Sequence, residues 1–176
     1  MSALSANSPL QWPRGPRTGF KLSNEKGVYA LFLHKGVILR GLEAGQEGLL
    51  YIGLAANKSG LKGRCHFNAR TVNHSPRKSL SVLLLNELSL EPVLVAKPAS
   101  SDTWGLDKAS DSRLSAWMHA NLELAVEICH NPDARESELV EHYAPPLNLT
   151  KCVQTAQHHM ISVARSKVMA GLQRAC

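Results

Sequence analysis

A glutamate lies among apolar residues in the C-terminal third of this 176-residue chain. In a helix that starts near residue 132, Glu136 shares one face with Leu139 (i+3), Val140 (i+4) and Tyr143 (i+7). That face must turn toward the core, where a carboxylate is stable only if a cation or a metal ion compensates for its lost hydration. The pattern therefore indicates either a structural ion pair or a metal site at Glu136, and it leaves the two open.

Two tyrosines lie in short apolar segments beside small residues. Tyr29 follows Gly27-Val28, and Tyr51 precedes Ile52-Gly53 on what we predict to be a neighbouring strand. An aromatic residue in a strand most often belongs to the core. Neither tyrosine indicates chemistry by itself, so the interpretation depends on the charged residues that accompany the pair.

The first of these charged residues is an arginine. Arg64 lies eleven positions after Gly53, with Lys58 and Lys62 close by in the sequence. A guanidinium can bind a phosphate group through two parallel hydrogen bonds, whereas a surface arginine without a ligand is the alternative. The segment is therefore a candidate phosphate-binding site.

The elements that must position these residues follow from the apolar pattern. Runs or alternation typical of strands occur at 28–33, 37–39, 49–53, 92–96 and 122–128. Spacing typical of helices occurs at 59–70, 77–88, 114–122, from 132 up to Pro145-Pro146, and at 153–172. Asn131 followed by Pro132 predicts a helix start, because an asparagine caps well and proline is tolerated in the first turn.

Three segments are expected along the chain. Residues 1–24 carry prolines and glycines between basic residues, which predicts a flexible basic arm. One domain at 25–149 and a C-terminal amphipathic helix within 150–176 follow. The arm, with Arg14, Arg17 and Lys21, could touch a phosphate backbone or form a solvated tail, and the terminal helix could pack on its own domain, dock a partner or make a homodimer.

The composition limits the class of protein. Hydrophobic residues make up 44% of the chain, and 20 Lys+Arg against 14 Asp+Glu give a pI near 9.3, which suits a polyanionic partner without proving one. We find no secretory signal and no apolar run of the roughly 18 residues that cross a bilayer, so we expect a soluble, cytoplasmic protein without a membrane partner. The 4 cysteines lack the paired spacing of zinc or redox sites and are expected to be reduced.

Together these residues resemble the motifs of the GIY-YIG nucleases, and of a bacterial subgroup of stand-alone members in particular. The motifs are Gly27-Val28-Tyr29, Tyr51-Ile52-Gly53, Leu61-x-x-Arg64 and Glu136-x-x-Leu139-Val140-x-x-Tyr143-x-Pro145-x-x-Asn148, with Arg77-Lys-Ser-Leu and Arg113-Leu-Ser-Ala-Trp-Met similar to the subgroup. The resemblance covers roughly residues 26–149. Its most specific part is the last long motif, which keeps the family spacing over thirteen positions.

The resemblance implies a fold, a reaction and a role for each site residue. The fold is a small α/β (α+β) domain with a mainly antiparallel central sheet flanked by helices, and the reaction is metal-dependent hydrolysis of DNA. Glu136 would be the sole protein ligand of one Mg²⁺ or Mn²⁺ ion. Tyr29 would act as general base or water positioner, Tyr51 would orient the phosphate, Arg64 would neutralise its growing charge, and Asn148 would brace the phosphate or the Glu136 helix.

The expected partner is DNA, double-stranded or branched. Four further residues are predicted as DNA contacts, namely Lys58, Lys62, His66 and Arg77. Many family members carry a histidine one helical turn after the arginine, where this chain has Asn68, so His66 is a weaker candidate than its neighbours. The alternative is a nucleic-acid-binding module that keeps the fold but does not cut, because a fold does not fix a function.

Overall fold

The computed structural model of the chain describes residues 8–64, 66–95 and 103–174. Its strands are β1 (Gly27–Leu33), β2 (Leu49–Ala55), β3 (Pro92–Val95), β4 (Thr103–Leu106) and β5 (Leu122–Ile128). Its helices are α1 (Ser75–Leu83), α2 (Lys108–Asn121), α3 (Pro132–Tyr143) and α4 (Ala156–Arg174). The main sheet is antiparallel with the order β2-β1-β5, and β3 pairs with β4 in a second antiparallel sheet. The expected α+β fold is confirmed.

Strand β1 occupies the centre of the main sheet and is covered on both faces. Val28, Ala30 and Phe32 belong to one hydrophobic cluster, and Tyr29 and Leu31 belong to the other. A strand that is buried on both faces carries a continuous apolar run, which explains why the sequence of β1 does not alternate. Burial also fixes the register, because a slip of one residue would exchange the two faces.

Helix α3 packs against β1 and β2 on the face that carries Val28 and Ala30. Leu139 and Val140 are buried in that contact. The helix starts as predicted, with the Asn131 side chain accepting a hydrogen bond from a backbone N–H of the first turn. It ends at Ala144, which has a left-handed φ of 42°. These local signals were sufficient because capping depends on adjacent residues.

The segment 37–39, predicted as a strand, is a loop. Ile38 is 82% exposed, whereas Leu39 is buried in the cluster that contains Tyr29. Both edges of β1 are already paired with β2 and β5, so the loop after β1 finds no free edge there. Leu39 therefore anchors the loop by packing its side chain into this cluster.

The predicted helix at 59–70 is also wrong, because the segment forms short 3-10 turns at Leu61–Gly63 and His66–Asn68. The backbone N–H of Leu61 donates to the carbonyl of Glu25 (3.0 Å), and that of Lys62 donates to the carbonyl of Ser23 (2.8 Å). These bonds tie the turn to the chain that precedes β1. Long-range hydrogen bonds of this kind have no signature in helical periodicity.

Residues 8–24 differ from the expected flexible arm, because they pack on the domain. Gly15 and Leu124 of β5 exchange two backbone hydrogen bonds of 3.2 and 2.9 Å. Trp12 is 8% exposed within the cluster beneath α3, and Arg14 forms an ion pair with Glu47. The segment protects the outer edge of β5, which the composition of residues 1–24 could not indicate. Residues 1–7 lie outside the described part.

The C-terminal half keeps most of the predicted elements. The change from helical to strand periodicity is confirmed, because α2 runs directly into β5 at Leu122. Strand β4 is an element that the sequence pattern did not indicate. Helix α4 lies against α1 and β3 with Ile161 buried, whereas Val153, expected in its stripe, precedes the helix and is 76% exposed. Among the described residues, no helix has both the length and the apolarity to cross a membrane.

Candidate active site

Tyr29 and Tyr51 lie on the same face of the sheet as diagonal neighbours. In the antiparallel register Tyr29 faces Gly53, and Tyr51 faces Leu31. The two ring centroids are 6.1 Å apart, with the planes tilted by 39°. Both side chains contribute to the hydrophobic cluster on that face, so the prediction that the tyrosines belong to neighbouring strands is confirmed.

Gly53 makes the approach of the two phenols sterically feasible. A Cβ atom at this position would overlap the hydroxyl of Tyr29 and would lie 2.7 Å from Cε1 of Tyr51. Separations below 3.0 Å are not found for real Cβ atoms, so one ring would have to move. The glycine is therefore required by the tyrosine pair rather than by a turn.

Arg64 follows the turn Leu61–Gly63 and reaches the same region. It lines a small cavity, with room for about one water molecule, together with Tyr29 and Arg17. The Arg64 Nε is buried, and it finds no hydrogen-bond partner within the described part of the chain. A buried donor that lacks a partner costs free energy, so this guanidinium is suited to bind an added acceptor.

Glu136 lies on α3 and is 8% exposed, as the sequence predicted for that face. Its Oε2 accepts a hydrogen bond from Nζ of Lys151 at 2.6 Å. The carboxylate is thus compensated by a cation, whose own side chain is 46% exposed. Because Lys151 is half in solvent, it can leave the carboxylate at little cost in packing.

The charges of these residues act on one another. Burial raises the pKa of Tyr29 well above its ordinary value of 10.0; the Tyr51 phenol and the Glu136 carboxylate raise it further, and Arg64 lowers it. Burial and then Glu136 raise the pKa of Tyr51, whereas its hydrogen bond with Tyr29 and the charge of Arg64 lower it. The two phenols are hydrogen-bonded to each other. The structure brings four predicted site residues into one electrostatic cluster.

Stability at high pH should depend on this burial. In the unfolded chain a tyrosine loses its proton near pH 10, while Tyr29 in the folded protein keeps its proton to higher pH. The folded state then binds more protons, so the free energy of unfolding falls as the pH rises above about 10. Urea unfolding between pH 8 and about 11 should show a smaller fall in the Tyr29→Phe variant than in the wild type. An equal fall in both proteins would contradict the raised pKa of Tyr29 as its cause.

Asn148 has a different role from those expected. Its Oδ1 accepts the backbone N–H of Ile52 (2.9 Å), and its Nδ2 donates to the carbonyl of Ile52 (2.7 Å). The N–H of Leu147 also donates to the carbonyl of Leu50 (2.9 Å). The buried amide thus occupies the hydrogen-bonding positions that a neighbouring strand would fill at the outer edge of β2, at the residue between Tyr51 and Gly53. Asn148 braces β2 in this way, and among the described residues its side-chain amide makes no hydrogen bond to the Glu136 helix.

Arg77, predicted as a DNA contact, is a core residue, and that prediction is wrong. Its side chain is fully buried, with NH2 donating to Oδ1 of Asp111 (3.1 Å) and NH1 donating to Oγ of Ser115 (3.1 Å). Burial lowers the pKa of Arg77, and the hydrogen bond and charge of Asp111 raise it. The guanidinium joins α1 to α2 and has no surface with which to reach DNA.

The remaining predicted contacts have mixed outcomes. Lys58 and Lys62 are exposed near Arg64 and stay predicted contacts. The side chain of His66 lies outside what the structure describes.

Lys151 was not predicted from the sequence, because it lies in a loop fifteen positions after Glu136 and no periodicity links the two. The steric role of Gly53 was missed as well, although its position opposite Tyr29 follows once the strand register is known.

The two cysteines that the structure describes do not take part in the tyrosine cluster. Cys129 and Cys152 are free and partly buried, and burial raises the pKa of each thiol. Cys65 and Cys176 lie outside the described residues. Within the described ranges, no group of three or more His, Cys, Asp and Glu side chains could hold a metal ion.

Comparison with known proteins places the chain in a family. Residues 27–167 match the family model of the GIY-YIG catalytic domain. The match covers most of the chain and includes both tyrosines, Arg64 and Glu136. Neither the search of curated proteins nor the search of solved structures found a match.

Proposed function

The chain belongs to the GIY-YIG nuclease family, and from this premise we propose that it is an endonuclease that hydrolyses DNA phosphodiester bonds with one divalent metal ion. The observation that supports this best is the convergence of three separate elements. The sheet supplies the two phenols, the turn before Arg64 supplies a cation, and α3 supplies Glu136. The charges of Arg64 and Glu136 both shift the pKa of each phenol. A basic pI suits the polyanionic substrate.

The single carboxylate fits a magnesium ion. Mg²⁺ in phosphoryl-transfer sites is commonly held by one or two carboxylates, with water and phosphate oxygens completing its shell. Glu136 offers such an oxygen once Lys151 turns to solvent. Mg²⁺ or Mn²⁺ bound there would supply positive charge to a phosphoryl oxygen of the substrate. Lys151 holds the carboxylate in place until then.

Tyr29 positions the attacking water in this proposal. Because its pKa is raised, the phenol keeps its proton at neutral pH while it is hydrogen-bonded to Tyr51. The Tyr29 oxygen retains lone pairs that can accept a hydrogen bond from water. Positioning of this kind lowers the barrier by fixing the angle of attack, without requiring a free phenolate.

Tyr51 and Arg64 act on the phosphate itself. The Tyr51 phenol, which is hydrogen-bonded to Tyr29, orients a phosphoryl oxygen in this proposal. Arg64 adds a guanidinium whose buried Nε lacks an acceptor within the described residues. Donors that point to developing negative charge are effective because they need not reorganise during the reaction.

Gly53→Ala should slow the reaction by disturbing the tyrosine pair. The added methyl overlaps the Tyr29 hydroxyl, so the ring must shift by a substantial fraction of an ångström. A displacement of about 1 Å can cost roughly a hundredfold in rate, and we expect a loss of that order in single-turnover cleavage. Gly171→Ala on α4 is the control, since its added methyl meets nothing within 4 Å. Equal rates for both variants would contradict the packing argument.

The substrate class can be tested with defined oligonucleotides. Labelled duplex, nicked, branched and single-stranded DNA are incubated with the protein in Mg²⁺, in Mn²⁺ and in chelator, and the products are separated on a denaturing gel. We expect metal-dependent cleavage of duplex or branched DNA. Salt-sensitive binding without cleavage of any substrate would contradict the proposed reaction and would indicate a catalytically silent binding module.

A further inference from the structure

A cleft of about 490 Å³ lies between α1, β4 and α4, outside the tyrosine cluster. Two cations and five hydroxyl side chains line it, namely Lys78, Arg165, Ser75, Thr103, Thr150, Ser162 and Ser166. None of the described residues that line the cleft is acidic. Cationic and hydroxyl donors without carboxylates favour an anionic occupant.

Arg165 is the best evidence for such an occupant. Arg165 is half-buried on α4, and this partial burial lowers the pKa of its guanidinium, whose NH1 donates to Oγ of Ser75 at 3.2 Å. No carboxylate of the described residues forms an ion pair with it, whereas the buried Arg77 and the half-buried Arg135 are both paired with acids. A desolvated charge is costly unless it is compensated. An anion in the cleft would provide that compensation.

Lys78 supplies the second positive charge in a fixed position. Its Nζ donates to Oγ1 of Thr103 at 2.7 Å and lies 5.2 Å from the centre of the Trp104 ring. Ser75 begins α1, and the residue before it gives no side-chain cap to the helix. The positive end of the α1 dipole therefore adds to the two side-chain charges at the cleft.

One loop connects the cleft to the tyrosine cluster. Leu149 and Thr150 line the cleft, and their chain neighbours are Asn148, which braces β2, and Lys151, which contacts Glu136. Consecutive Cα atoms are about 3.8 Å apart. The cleft and the Glu136 carboxylate are thus linked by one short segment, residues 148–151.

We propose that this cleft binds a backbone phosphate of the DNA that flanks the bond to be cut. The inference rests on the proposed nuclease function and adds to it a second contact with the substrate, made by α1, β4 and α4. Phosphate oxygens accept hydrogen bonds from the guanidinium of Arg165, the ammonium of Lys78 and the hydroxyl groups around them. Contacts of this kind fix the register of the substrate and carry no base specificity.

The test measures binding of a labelled duplex of about 20 base pairs by fluorescence polarisation in chelator, at several salt concentrations. Arg165→Gln is expected to bind roughly tenfold more weakly, and its slope of log K against log salt should decrease by about one. Lys167→Gln is the matched control, because Lys167 is exposed on the same helix and does not line the cleft. It should bind within about twofold of the wild type.

Two more variants separate a loss of charge from a loss of packing. Arg165→Lys keeps the charge and should keep the salt slope, even though the bond to Ser75 is altered. Ser166→Asp places a negative charge at the exposed wall of the cleft and should weaken binding as much as Arg165→Gln does. Wild-type affinity and slope in both Arg165→Gln and Ser166→Asp would overturn the proposal. Binding is measured in chelator, so it does not depend on cleavage. A wild-type protein that binds DNA but never cuts it would refute the proposed reaction and would leave the proposed phosphate contact standing.

Discussion

Glu136→Gln is expected to bind DNA about as tightly as the wild-type protein and to cut it at least about a thousandfold more slowly. The substitution keeps the size of the side chain and removes the charge that a metal ion requires. A bound metal stabilises the transition state by several kcal/mol, and each 1.36 kcal/mol corresponds to about tenfold in rate. Single-turnover cleavage at saturating protein, together with polarisation binding, measures the two quantities separately.

Glu141→Gln is the matched control for this prediction. Glu141 lies on the same helix and is exposed, so its loss changes the net charge equally without touching the cluster. The fold should tolerate Glu136→Gln, because the Lys151 ammonium that it leaves is already half in solvent. Cleavage by Glu136→Gln at a rate near that of Glu141→Gln would refute the role of Glu136 as metal ligand.

Tyr29→Phe should slow cleavage by roughly a hundred to ten thousand fold, with little change in DNA affinity. The phenylalanine keeps the ring that lies opposite Gly53 and beside Tyr51, and it removes the oxygen that positions water. Tyr143→Phe is the control, since the Tyr143 hydroxyl is hydrogen-bonded to Oγ of Ser8 and its ring packs against the other hydrophobic cluster. Equal rates for the two variants would exclude Tyr29 from the reaction.

The dependence of the wild-type rate on pH distinguishes the two roles considered for Tyr29. Because burial raises its pKa above 10.0, ionisation of this phenol should not contribute a break to the profile between pH 6 and about 9. A positioning role therefore predicts similar profile shapes in wild type and Tyr29→Phe. A wild-type rate that rises tenfold per pH unit, with the slope lost in Tyr29→Phe, would instead identify a general base.

Features that depend on neighbouring residues could be predicted from the sequence. Asn131 and Pro132 marked the start of α3, and the stripe of Leu139 and Val140 placed Glu136 on the buried face. The continuous apolar run of β1 and the change of period at Leu122 were equally local. Each signal lies within about one or two turns of the residue that it describes, so spacing alone was informative.

Features that depend on distant contacts could not be predicted in this way. The Leu61–Gly63 turn follows from hydrogen bonds to residues 23 and 25, and residues 8–24 are held on the domain by two backbone hydrogen bonds to β5. Arg77 was predicted as a DNA contact, but its ion pair with Asp111 of α2 stabilises it within the core. Lys151 meets Glu136 only because the loop after Asn148 folds back over α3. Sequence spacing does not encode such pairings.

The most direct test of the account is whether the full chain nicks supercoiled plasmid DNA in Mg²⁺. We expect conversion to the open-circle form, stopped by chelator, restored by added Mg²⁺ or Mn²⁺, and absent from Glu136→Gln prepared in parallel. Activity that persists in chelator, or that is equal in wild type and Glu136→Gln, would contradict a reaction centred on this carboxylate. A wild type that binds the plasmid and leaves it intact at every metal concentration would contradict the nuclease function itself.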